Sequence, residues 1–196
     1  MSVSKFTRMI AVVAGIGMIA MAAVLPLPTT SDVSVPTAGA AQADYYLKLE
    51  GVDGESASDT HKGEIDIQSF SWGVSQTAMG STGGGAGSGK AKFDGLQVTK
   101  RIDKASPLFF LAAATGKHFP KATLVGSKDG VEFLKITLSD VMVSSFSEKG
   151  DNTMLPQDQL SFNYAKIEFE YFPRSSAGQQ SQSVKAGWDV KANKKI

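Results

Sequence analysis

The chain has 196 residues, 42% of them apolar and 20% charged, a formal charge of +1 and no cysteine. These figures fit one globular domain with a modest appendage, and the missing cysteines exclude disulfides, thiolate metal sites, cysteine nucleophiles and a lipidated N-terminal cysteine. Once Lys5, Arg8 and Asp32 are set aside, 18 basic side chains stand against 18 acidic ones, so no basic block draws the chain to nucleic acid or an anionic membrane.

Lys5 and Arg8 precede an uncharged apolar run of 17 residues, Met9 to Leu25, and Ala41-Gln42-Ala43 offers a small-x-small cleavage site, with Ala38-Gly39-Ala40 as the alternative. This pattern reads as a targeting segment removed after Ala43, since small residues dominate the run and no charged stop-transfer block follows. An uncleaved anchor is the other reading, because the run is just long enough to span a bilayer. Residues 1–43 are therefore assigned to a signal peptide and a Pro/Ala-rich spacer, and 44–196 to the folded domain, on the far side of an inner membrane. Contact with a membrane is expected only through residues 1–43, if they stay attached.

From Asp44 the pattern has period two. Tyr45, Leu47 and Leu49 share one parity, which predicts a half-buried strand. A second strand runs from Glu64 to Gln76, with Ile65 and Ile67 on one parity and Phe70, Trp72 and Val74 on the other. The change of phase near Gln68-Ser69 predicts a bulge or bend. Trp72 is expected in the core. The opposite parity carries Ser69, Ser71, Gly73 and Ser75, a row of small polar residues suited to a smooth wall; Ser71 and Gly73 are assigned to a lumen face from this alternation. Met79 to Gly89 is a Gly/Ser loop. Lys90 to Val98 is strand again, broken at Asp94-Gly95.

The stretch Val98 to His118 contains the one clear helix signal, around which the remaining strands are organised. Ser106 is predicted as N-cap, Pro107 as the first helical residue and Gly116 as the left-handed stop, with Lys117 and His118 beside the negative end of the dipole. Leu108, Phe109, Phe110, Leu111 and Ala112 to Ala114 are apolar on every side, so the helix is expected to be covered all round, Phe110 and Leu111 included. Lys121 to Val125 and Val131 to Met142 form a hairpin turned at Asp129-Gly130. In the longer strand Leu134, Ile136 and Leu138 share a face that Val141 and Val143 do not. A polar loop is expected over Ser147 to Gln159, then a strand from Leu160 to Phe172. There Phe162 and Tyr164 lie in one phase and Ile167, Phe169 and Tyr171 in the other, from a bulge or because a neighbouring subunit covers the second face. A weak strand, Val184 to Val190, carries Trp188.

The motifs of chemistry are weak. Gly84 to Lys90 fits G-x-x-x-x-G-K, but Ala91 stands where a Ser or Thr ligates magnesium, and a strand follows in place of a helix. His61 and His118 lack partners at metal spacing, no G-x-S-x-G elbow accompanies the serines, and Glu64/Asp66 read as a solvated strand edge. No catalytic, cofactor-binding or metal-binding residue is assigned, and no cofactor.

The segments together resemble the haemolysin-coregulated protein (Hcp) family, the tube protein of bacterial type VI secretion systems. The resemblance is carried by Gly54-Glu-Ser56, His61-Lys-Gly-Glu-Ile65, Phe70-Ser-Trp-Gly-Val-Ser-Gln76, the glycine loop into Gly89-Lys90, Val98-Thr-Lys-Arg-Ile-Asp-Lys-Ala-Ser-Pro107, Thr115-Gly-Lys-His118, Val141-Met-Val-Ser-Ser145, Phe162-Asn-Tyr-Ala-Lys-Ile167 and Gly187-Trp188. It covers 44–191 and implies an antiparallel β-barrel with one helix. It further implies a homo-hexameric ring that stacks into a tube, effector proteins as cargo, spike and sheath components as partners, secretion into the medium, and no catalysis. Residues 1–43 depart from the family, since a tube protein leaves by the injection machine. An exported binding module, in the periplasm or outside the cell, is the alternative, and an exported hydrolase the third; no appended domain is expected beyond residue 196 to house such an activity.

Overall fold

A computed structural model of the chain describes residues 42–76, 90–174 and 181–196. The apolar run Met9 to Leu25 and the whole Gly/Ser loop, Met79 to Gly89, lie outside the described residues. Eleven strands and one helix appear among those described: β1 (Ala43–Leu49), β2 (Ile65–Ile67), β3 (Ser69–Ser71), β4 (Val74–Gln76), β5 (Ala91–Phe93), β6 (Leu96–Arg101), α1 (Ser106–Thr115), β7 (His118–Lys128), β8 (Val131–Lys149), β9 (Gln157–Tyr171), β10 (Val184–Asp189) and β11 (Lys194–Lys195). The protein is mainly β and its pairings are antiparallel.

β7, β8 and β9 form a meander, with β1 against β7 and β2 against β1. The second half of β9 also pairs β10 and its first half β6; β6 pairs β3 on its other side. β2 and β3 are two parts of one segment bent at Gln68, where the phase of the apolar residues changes, and the Gln68 N–H donates to the Thr99 carbonyl at 2.8 Å. After Ser71 the chain leaves this sheet, and β4 pairs only with β5. That departure leaves Val74 exposed, while Phe70 and Trp72 stay packed against the core.

The phase reversals in the two longest strands coincide. On β8 the buried series Leu134, Ile136, Leu138 gives way to Val141 and Val143; on β9 Leu160 and Phe162 give way to Ala165 and Ile167. The pairs Ser139↔Lys166 and Val141↔Tyr164 bracket Asp140, whose φ of 51° is left-handed. The count between those pairs is equal on the two strands, so no residue is inserted there and both strands change face at the same level of the ladder. Strand also extends past the expected limits: β8 runs to Lys149 and β9 begins at Gln157, so the expected loop over Ser147 to Gln159 is shorter, and Gly126 to Lys128 belong to β7 with a register shift at Gly126/Ser127.

α1 departs from expectation at both ends and on its surface. Ala105, not Ser106, is the N-cap residue; Ser106 and Pro107 are the first two helical residues, and no side-chain cap bond forms. The reason lies in two competing partners. The Ser106 hydroxyl is taken by Lys100 and Asp158, and Asp103 Oδ1 accepts the Ala105 N–H at 2.9 Å, ordering the turn ahead of the helix. Gly116 ends the helix at φ 65°, with the Lys117 N–H returning to the Ala112 carbonyl at 3.1 Å. No basic residue sits in the last turn, and His118 starts β7 instead. The helix is not covered all round: Ser106, Phe109 and Ala112 are buried, whereas Leu108 is 46%, Phe110 60% and Leu111 57% exposed. Phe109 meets Phe162 edge-on with centroids 5.8 Å apart. Within one chain the sheet offers α1 a single contact face.

Candidate functional site

Four adjacent strands carry two complete rows of small polar side chains. Ser69 lies opposite Thr99, Thr99 opposite Gln159, and Gln159 opposite Ser147; one step along, Ser71, Gln97, Ser161 and Ser145 repeat the arrangement. Directly opposed residues of antiparallel strands point to the same side of the sheet, so these eight side chains form one surface across β3, β6, β9 and β8. They are exposed or half-exposed, and none is charged. Six of the eight, all but Ser69 and Ser71, line a shallow groove of about 410 Å³. The backbone is drawn close at its border: a Cβ on Gly95 would stand 2.9 Å from Ser161 Oγ and 3.0 Å from the Phe162 carbonyl, and Ser144 Oγ donates to the Ser161 carbonyl at 3.0 Å where β8 slips register.

The opposite side of the same ladder holds a buried ion cluster. Lys100 and Asp158 are paired across β6 and β9, both 0% exposed, with Nζ 2.8 Å from Oδ2. Lys100 Nζ also donates to Asp103 Oδ1 at 2.6 Å, to Ser106 Oγ at 2.8 Å and to the Arg101 carbonyl at 2.9 Å. The Ser106 hydroxyl donates in turn to Asp158 Oδ2.

Two apolar surfaces stay open to solvent. One is the outer side of α1, where Phe110 meets Phe146 edge-on at 6.2 Å. The other surrounds Trp72, Phe93, Phe169 and Trp188, with Val74 and Val184 exposed beside it. Neither histidine is set for metal binding: His61 stacks on Tyr46 at 4.3 Å with Nδ1 3.1 Å from Glu64 Oε2, and His118 Nδ1 lies 2.8 Å from Asp140 Oδ1. No cluster of three potential metal ligands occurs among the described residues. Glu64 therefore serves His61 rather than a solvated edge. Lys191 Nζ reaches the other Asp140 oxygen at 2.5 Å, and Lys191 and His118 hold that carboxyl below the usual carboxylate range. Tyr164 donates to the Asp94 carbonyl at 2.9 Å; burial, then the Asp94 charge, push its phenol up to about 12.

Of the residues singled out from sequence, Ser69 and Ser71 lie in the polar rows. Gly73 lies just past them, half-buried, its carbonyl accepting the Asp94 N–H at 2.9 Å. Ser75 is carried off to face Lys92 in the β4–β5 hairpin. Ser106, Pro107, Phe110, Leu111 and Gly116 belong to α1 and its stop, and Ala43 opens β1. Sequence reasoning missed Gln97, Thr99, Ser145, Ser147, Gln159 and Ser161. For Gln97 and Ser161 the signal is the polar parity of strands whose apolar parity was read; Thr99 and Ser145 lie just past the expected strand ends, and Ser147 and Gln159 fall at the ends of the expected loop. It also missed Lys100 and Asp158, each of which continues an apolar series: Leu96, Val98, Lys100 on one strand and Asp158, Leu160, Phe162 on the other.

The chain matches the family described as type VI secretion system effector, Hcp, over residues 46–171. It is 38% identical over 159 residues to protein hcp1 of Pseudomonas aeruginosa, covering 76% of this chain and 96% of that one. Among solved structures it is similar to a type six secretion system protein, with a TM-score of 0.75 and 34% identity over 79% of this chain and all of that one. The crystal structure of Hcp1 from Salmonella typhimurium gives a TM-score of 0.65 and 34% identity, over 79% of this chain and 99% of that one. Among the described residues no helix is long and apolar enough to cross a membrane. The chain belongs to the Hcp family of type VI secretion system effectors.

Proposed function

We propose that this chain is a tube subunit: six copies close into a ring, rings stack, and effector proteins travel in the lumen while sheath and spike components act from outside and at the tip. The observation that carries the reading is the wet side of α1. Leu108, Phe110 and Leu111 are apolar side chains that one chain leaves in water, and contiguous exposed apolar surface marks an interface. A second apolar surface around Trp72 and Trp188 gives each copy two unlike patches, as head-to-tail ring closure requires. The pairing circuit from β1 through β2/β3, β6, β9, β8 and β7 back to β1 supports a closed barrel as the ring's unit.

The eight-residue polar face is the lumen wall in this reading, with Ser71 on it and Gly73 at its border. Its two rows carry no charge of their own, the cations Arg101 and Lys149 standing one row along at its end, and without large apolar groups it does not trap unfolded segments. No catalytic role is assigned. Residues 1–43 direct the chain to export, with release after Ala43, and the mature protein is secreted. Sedimentation and electron microscopy of the purified protein test the ring: hexamers are expected, and Phe110→Asp should return single folded chains. A wild-type protein that stays monomeric at high concentration refutes it.

The targeting segment favours one second reading, an exported module that captures a protein of the periplasm or medium and builds no tube. Pull-down from periplasmic extract by a chain that does not assemble would select it.

A further inference from the structure

α1 poses a problem that its own composition does not solve. A helix with a polar stripe turns that stripe to water, but this one is apolar on every side, so burial alone does not choose which face packs inward. The structure nevertheless has one arrangement: Ser106, Phe109 and Ala112 inward, Leu108, Phe110 and Leu111 outward. Residues three apart share a helix face, and the first of the inward three is the one polar residue of the first turn. Its hydroxyl accepts from Lys100 Nζ and from the Asp103 N–H at 3.1 Å and donates to Asp158 Oδ2, so both members of the buried pair hold it.

We infer that Lys100 and Asp158 are positioning residues, a polar key that selects the inward face of α1 through Ser106. Hydrogen bonds are directional where apolar contact is not. The pair is a poor device for stability alone. Burying two charges costs desolvation that their attraction often fails to recover, and Asp158 Oδ1 has no partner among the described residues. By choosing the inward face, the key also chooses which residues α1 offers to a neighbour; that consequence rests on the ring reading, the selection itself does not.

The absence of cysteine makes the test clean. Leu111→Cys and Ala112→Cys are introduced separately into the full chain, and thiol labelling rates are compared at a dilution where sedimentation shows single chains. With the native key, the outward cysteine should react far faster than the inward one. In the Lys100→Met/Asp158→Leu background the denaturation midpoint should hold or rise, while the rate ratio falls by about ten-fold or more, the weight of one charge-assisted hydrogen bond. Ser106→Ala, which keeps the ion pair and removes only the helix's link to it, should lower the ratio in the same direction. An unchanged ratio with Ser106→Ala overturns the inference. So does a double variant that loses stability in step with the ratio, since the pair would then be holding the fold and not the helix face. Sedimentation of the wild-type chain at high concentration reads the ring separately.

Discussion

The two sides of the β6–β9 ladder invert the usual distribution of polarity. Facing inward, Lys100 and Asp158 are fully buried and oppositely charged; facing outward, Gln97, Thr99, Gln159 and Ser161 are uncharged, and the exposed Arg101 ends that series on β6. Charge normally gathers at the surface because burying it costs solvation. The inner pair is tolerated because Lys100 finds four acceptors and Asp158 Oδ2 two donors. In the ring reading the two uncharged rows face a passage for cargo of either sign, with the cations Arg101 and Lys149 one row along at their end. One side of the ladder is specific in its partners; the other offers no charge over two rows.

The largest effect is expected on the inner side. Asp158→Ala leaves Lys100 buried with one carboxylate fewer and should cost about 3–5 kcal/mol in chemical denaturation, whereas Gln159→Ala, its chain neighbour, should stay within about 0.5 kcal/mol. The same contrast sharpens on α1, where two adjacent phenylalanines differ only in direction. Phe109→Ala should cost about 3–5 kcal/mol through the cavity against Phe162. Phe110→Ala in the single chain should cost less than about 1 kcal/mol, because it is 60% exposed.

Smaller effects come from titrating groups at the borders. Tyr164 has its pKa raised in the folded chain to about 12 from 10.0. The folded state therefore holds that proton more tightly, and this stabilisation is complete below the unfolded value and is lost as pH rises between the two. Ultraviolet titration should find one tyrosine ionising late. Asp140 is lowered, so its contribution is present above the ordinary carboxylate pKa and lost as pH falls through the folded value. At that point its bonds to His118 and Lys191 weaken, and carbon-detected NMR of the Asp140 carboxyl should follow it. Exposure of this group keeps the effect small.

Most strands were legible because alternation reports a half-buried sheet directly. Tyr45-Leu47-Leu49 and the Asp129-Gly130 turn needed nothing from the rest of the chain, and Gly116 announced the end of α1. The joint reversal at Asp140 was visible as two phase changes, but their coincidence was not, since no local pattern says that two distant strands turn over opposite one another. The helix misled for a physical reason: seven apolar residues say that the helix avoids water, not whether one chain or two supplies the cover. Ser106 looked like a cap because a serine before proline usually is one, and only Lys100 and Asp158, 6 and 52 positions away, redirect its hydroxyl. Of the polar rows the β3 alternation showed only Ser69 and Ser71, because the rows exist only once four strands are in register.

The most direct test of the central claim is the structure of the purified, assembled protein by electron cryomicroscopy. A six-fold ring is expected, its pore lined by Ser71, Gln97, Ser145 and Ser161, with Phe110 and Leu111 buried against the next copy. A single unassembled chain, or a ring that turns those polar rows outward and leaves Phe110 in water, would contradict it.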